Sequence, residues 1–134
     1  MSQILIPMSP GELIDKITIL EIKMERIDSI EKKANVEKEL SLLNKVWNDA
    51  ASENSDLYSG IKTMCNDLKK VNETLWVIED DLRDEEREKR FGERFVELAR
   101  SVYFTNDKRA ALKKDINLHL KSDIVEEKSY QDYE

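Results

Sequence analysis

The stretch "LYSGIKTMCNDLKKVNETLWVIEDDL", residues 57–82, decides the fold class. Its Leu57, Ile61, Met64, Leu68, Val71, Leu75, Ile78 and Leu82 recur at alternating steps of four and three. That spacing keeps one apolar seam on a helix and would scatter it over both faces of a strand. We therefore expect one long helix from residue 56 to about residue 89. At about 100° per residue, the carboxylates of Glu79, Asp80 and Asp81 near its end fan out over different sides. Asp80 points away from the seam, and Glu79 stands four residues before Arg83, the favourable order for a helical ion pair. The acidic run is a solvated face with pairs such as Glu79–Arg83 and Glu86–Arg90, and no metal site is expected there. Trp76 and Val77 lie off the seam and need cover from elsewhere.

Upstream, "MSPGEL" is a helix start. Ser9 suits the cap, Pro10 the first turn, Glu12 completes a capping box, and Met8 with Leu13 forms the hydrophobic staple. A first helix, residues 9 to about 33, then carries the seam Leu13, Ile17, Leu20, Met24 and Ile27. Ile19 and Ile22 fall on its other side, near Asp15 and Arg26, so this helix should touch neighbours on both sides. After a polar break at residues 32–35, Asn35 would cap a shorter second helix through Val36, Leu40, Leu43 and Trp47, with "AASENSD" as the loop that follows. The arm "QILIP" ahead of Ser9 is extended or an edge strand ended by Pro7.

Downstream, Phe91, Phe95, Leu98 and Val102 mark a fourth helix, with Gly92 at its junction with the long one. Thr105 or Asn106 would cap a fifth, whose buried stripe is Leu112, Ile116 and Leu120. The expected fold is an all-α antiparallel helical bundle with two long helices and a C-terminal helical hairpin. Residues 1–121 form its single domain, and residues 122–134 an acidic tail, mobile or docked by Ile124, Val125 and Tyr130.

At 134 residues the chain can bury a real core without disulfides or a structural metal. A net charge of −7, with bases interleaved among acids, argues against nucleic acid, whose affinity comes from clustered Lys and Arg. The uncharged runs are too short to span a membrane, no basic segment followed by an apolar one opens the sequence, and Cys65 is the only cysteine. A cytoplasmic protein is expected, without membrane or nucleic-acid partners.

No phosphate-cradling Gly loop, nucleophile elbow or Cys/His cluster is present, so no catalytic residue, metal or cofactor is assigned. His119 borders the last stripe and is expected as a half-buried structural histidine; Cys65 fills space beside Met64. The carboxylate pairs Glu12/Asp15 and Glu85/Glu88 are the route to an enzyme, since acids three apart on facing helices can hold Mg²⁺. They resemble those of all-helical nucleoside-triphosphate pyrophosphohydrolases, although the two acid-rich motifs of those enzymes do not align here without gaps. Arg109 is the foremost site candidate because it falls on the stripe of Ile116 and Leu120. It either pairs with a carboxylate, Glu79 or Asp80 first, or joins Arg100, Tyr103 and Asn106 in an anion pocket. Ile19 with Ile22 and Trp76 with Val77 are the candidate faces of a homodimer.

The segments "PGELIDKITILEIKMERI", "LWVIEDDLR" and "FVELARSVYFTNDKRAALKKDIN" together resemble an uncharacterised family of small bacterial proteins, found alone or beside surface-polysaccharide and glycosyltransferase genes. The resemblance spans most of the chain, leaving out the second helix and the tail. It implies a protein partner in glycan biosynthesis but supplies no reaction and transfers no catalytic residue. The expected function is a non-enzymatic interaction or accessory module linked to surface-glycan assembly. The alternative is a Mg²⁺-dependent hydrolase of a nucleotide or sugar-phosphate.

Overall fold

A computed structural model of the chain describes residues 2–133. Five helices follow one another: α1 (Pro10–Arg26), α2 (Ile30–Glu53), α3 (Ser55–Ser59), α4 (Lys62–Arg87) and α5 (Glu93–His119). There is no strand among the described residues, and none of the helices is long and apolar enough to cross a membrane. The all-helical bundle is thus as expected; several boundaries are not.

The start of α1 follows its sequence signals except in the capping box, whose Glu12 carboxylate goes to Lys113 and not back to Ser9. Ser9 Oγ accepts the Glu12 N–H at 3.3 Å, Pro10 opens the first turn, and Met8 packs against the cluster containing Leu13. The helix stops at Arg26, well short of residue 33, and α2 begins under the cap of Ser29, whose Oγ accepts the Lys32 N–H at 3.3 Å. Asn35 lies inside α2. A serine that can satisfy free N–H groups at a helix start outcompetes an asparagine whose own turn is already hydrogen-bonded. The expected "AASENSD" loop is mostly helix, since α2 runs through Glu53 and α3 follows at once. The long helix is interrupted: α3 ends at Ser59 and α4 starts at Lys62. His119 presses against Gly60 there, leaving only 3.0 Å between its Nε2 and the place a Cβ would take.

The predicted fourth and fifth helices are one helix. Neither Thr105 nor Asn106 caps anything, because both lie inside α5, and Thr105 is buried. Without a Gly or Pro between residues 93 and 119, packing against α4 carries the helix through the polar "TND" segment. The C-terminal hairpin is therefore made by α4 and α5, joined through a turn in which Lys89 takes a positive φ of 57°.

The core sits where α1, α4 and α5 meet, around Leu13, Ile14, Ile17, Ile61, Leu68, Ile116 and Leu120. The α2 residues Leu40, Leu43 and Trp47 close it from one side, with Trp47 against Tyr58 at 5.0 Å between rings. The α1 helix packs on α2, α4 and α5, which accounts for apolar residues on both of its sides. Ile22, named as a dimer-face residue, is 1% exposed and covered by the chain's own helices, so it offers nothing to a second copy.

Candidate functional site

The most unusual feature of α1 is a carboxylate inside the bundle. Asp15 is 1% exposed. Burying a charge is costly unless it is paired and fully hydrogen-bonded. Here it is both. Arg109 of α5 meets it side-on, Nε donating to Oδ1 at 2.8 Å and Nη2 to Oδ2 at 2.5 Å, the two-pronged geometry that guanidinium groups make with carboxylates. The Asn72 amide of α4 donates to Asp15 Oδ1 at 3.0 Å and to Thr18 Oγ1 at 2.9 Å, and Thr18 donates to the Asp15 carbonyl at 2.8 Å. One polar knot thus ties three helices.

Burial pushes the Asp15 carboxyl up, and the hydrogen bonds from Arg109 and Asn72, with the charges of Arg109 and Lys113, outweigh it and hold the group below its ordinary value. The Arg109 guanidinium is raised in return, by its bond to Asp15 first. Arg109 is therefore held, and held by an acid, but that acid is Asp15. Glu79 instead pairs with Arg83 at 2.9 Å on its own helix, as its spacing implied. Arg90 takes Glu85 at 2.5 Å, while Glu86 binds Lys89, so the anticipated Glu86–Arg90 pair does not form.

A second tie runs parallel to the first. Lys113, one turn beyond Arg109, places Nζ 2.7 Å from Glu12 of α1 and 3.0 Å from Glu126 of the C-terminal segment. Both acids of the Glu12/Asp15 pair are therefore neutralised by α5 cations. At Gly11 the α1 backbone touches α5: its N–H donates to buried Asn117 Oδ1 at 2.7 Å. The order 11 to 117, 12 to 113 and 15 to 109 makes α1 and α5 antiparallel.

These ties border a cleft of about 730 Å³ between α1, α5 and the C-terminal segment. Tyr103, Tyr130 and Tyr133 line it, together with three acids, Glu12, Asp107 and Glu126, and three bases, Arg109, Lys113 and Lys128. Of the three residues anticipated to dock the segment, Val125 is half-buried, and a residue not anticipated takes part. Tyr133 packs on Tyr103 and Phe104, at 5.3 and 5.1 Å between rings, and hydrogen-bonds Asp107, while Ile124 and Tyr130 are exposed. Of the four residues expected to gather as an anion pocket, Tyr103, Asn106 and Arg109 share this cleft. Arg100 is not among its walls; it donates to Tyr103 Oη at 3.4 Å and lies over the Phe104 ring. A smaller cleft of about 440 Å³ opens on the other side of Arg109 and brings together Ile19, Trp76, Glu79, Asp80 and Asn106. Val77 faces outward, 45% exposed.

Among the described residues, no three His, Cys, Asp or Glu side chains converge as a metal-holding group. Burial first, and the charge of Glu21 second, push the Cys65 thiol up to about 11, which keeps it protonated and unreactive. Residues 4–133 match a family model described as a family of unknown function (DUF6165). The chain belongs to that family. No curated protein and no solved structure matches it. The DUF6165 match takes in α1, the network, both clefts and nearly all of the C-terminal segment, so every feature above lies inside the family's own span.

Four residues of the network were not singled out from sequence: Asn72, Thr18, Lys113 and Asn117. Their signal is positional. Asn72 stands four after Leu68 and three before Leu75, on the seam itself, where a polar side chain has to find a buried partner. Thr18 and Ile22 continue the helical stripe that starts at Asp15, and Asn117 stands three before Leu120.

Proposed function

We propose that this DUF6165 chain is a non-enzymatic binding module whose larger cleft takes an uncharged, hydroxyl-rich ligand. The observation that carries this is the make-up of that cleft: three tyrosines beside three acids and three bases. Tyrosine rings offer apolar faces to ring C–H groups and hydroxyls to polar ones, and carboxylates and ammonium groups accept from and donate to ligand hydroxyls. A wall with equal acids and bases has no net charge to exchange for a charged ligand. Its volume falls within the ordinary range of small-ligand sites, roughly 300–1,000 Å³.

An accessory role in surface-glycan assembly, beside a protein partner and in the cytoplasm, is the biological setting this chemistry fits. The engagement of Glu12 and Asp15 by Lys113 and Arg109 supports binding over Mg²⁺-dependent hydrolysis, because both acids already have their counter-charges. An amide-resolved NMR titration with a neutral N-acetylglucosamine oligomer is expected to shift Tyr103, Asn106 and Tyr130 with millimolar or tighter affinity. A sulfated oligosaccharide should bind no better. Absence of any shift up to about 10 mM, the weak end of specific recognition, would remove the proposal.

A homodimer belongs to the same proposal. With Ile22 internal, the apolar surface left for it includes exposed Val77 beside half-buried Trp76, half-buried Ile19, and the exposed arm residues Ile4, Leu5 and Ile6. Sedimentation equilibrium at tens of micromolar, where ordinary homodimers are assembled, is expected to show the dimer mass; a stable monomer would rule it out.

A further inference from the structure

The two clefts share a wall. Among the described residues, Asn106 and Arg109 alone line both. Arg109 is clamped to Asp15 through Nε and Nη2, which leaves Nη1 donating to Asn106 Oδ1 at a long 3.4 Å. Such a bond is weak, and the Asn106 side chain is exposed. The partition is therefore one loosely held amide above a fixed guanidinium.

We propose that the clefts are the two ends of one groove across α5 and that its ligand is an extended chain of neutral polar units, with Asn106 contacting it at the crossing. This rests on the larger cleft being a site for a neutral, hydroxyl-rich ligand. Three observations carry it. The walls are shared, as described. Each end repeats the same chemistry: the smaller cleft sets an aromatic ring, Trp76, beside two acids, Glu79 and Asp80, and two bases, Arg83 and Arg109. And each cleft alone, at about 730 and 440 Å³, already has the size of a small-molecule site, so a continuous groove exceeds what one unit fills. The Asn106 amide can donate to and accept from a linkage or a hydroxyl without demanding charge. Arg109 serves as a floor, since its charge is committed to Asp15.

Titration calorimetry with N-acetylglucosamine oligomers, from monomer to hexamer, tests this alongside the Trp76 indole N–H signal in NMR. Binding is expected to tighten on the order of a hundredfold across the series, as two linked subsites imply. The Trp76 signal should move only with the longer oligomers. Trp47, packed on Tyr58 within the core cluster, should stay still and so serves as the internal control. Asn106→Ala and Trp76→Leu should each flatten the length dependence, and the wild-type Trp76 signal reports on the groove even if a variant folds poorly. Equal affinity at all lengths with a silent Trp76, while Tyr103 and Tyr130 still respond to short oligomers, would overturn the groove and leave the binding module standing. No response at any length would overturn both.

Discussion

Arg109→Ala is expected to lower the stability of the fold by about 3 kcal/mol, a drop in melting temperature of roughly 10 °C for a chain of this size. The effect is large because of what remains behind. Asp15 is 1% exposed and cannot hydrate once its two-pronged partner is gone, leaving Asn72 as its only side-chain donor among the described residues. Asp15→Asn should cost less, since the Arg109 side chain is 29% exposed and can turn its guanidinium to water. A double-mutant cycle should find the two changes far from additive, as for any pair in one network. Additive losses below about 0.5 kcal/mol each would mean that the pair contributes nothing beyond surface charge.

The pH dependence follows from the same geometry. The folded state holds the Asp15 carboxyl below its ordinary value. Its contribution is therefore present above the unfolded value of about 4 and is lost as pH falls through the folded one. Wild-type stability in urea, followed by circular dichroism, should hold steady down to about pH 5 and fall below about pH 4. In Arg109→Ala the largest influence left on Asp15 is burial, which acts upward and favours the protonated form in the folded state, so the part of the acid loss that comes from Asp15 should shrink or reverse. Identical acid profiles for the two proteins would exclude the pair as their source.

Gly11→Ala should destabilise to a similar degree for a different reason. The added Cβ would stand 2.5 Å from the Lys113 carbonyl oxygen and 2.9 Å from Asn117 Oδ1. The first of these atoms is backbone and cannot rotate aside, so α1 and α5 have to separate. Overpacking of this kind costs about 1–3 kcal/mol, and losing the bond from the Gly11 N–H to Asn117 adds about 1 kcal/mol more. Asn117→Ala removes that bond without forcing the two backbones apart and should be the milder change. Both are measured by equilibrium denaturation. If Gly11→Ala is tolerated without loss, the close contact between the helices is not a constraint on the fold. Because Glu12 and Lys113 line the larger cleft, Gly11→Ala should also weaken ligand binding there, by widening the gap between the two helices that wall it.

The sequence by itself determined where the apolar faces lie. The seam from Leu57 to Leu82, the cap at Ser9, the stripe of Leu112, Ile116 and Leu120, and the Glu79–Arg83 pair are all local. They depend on a 3.6-residue period and on side chains one turn apart, and all appear in the fold, although the seam is divided, with Leu57 on α3 and Met64 to Leu82 on α4. Helix ends were less legible, because a cap is a competition between neighbours. Ser29 prevailed over Asn35, and α5 ran through "TND", where contact with α4 outweighed local turn preference. Only the tertiary structure decided partnership across long separations. Asp15 and Arg109 are 94 residues apart, and Gly11 and Asn117 are 106 apart. Helical angle showed that Arg109 would face inward, but it carries no information about which acid another helix would bring. The same limit applies to the clefts: Trp76, Asn106 and Tyr133 sit on three separate segments, and their meeting around Arg109 is a product of how α1, α4 and α5 cross and of where the C-terminal segment docks on α5.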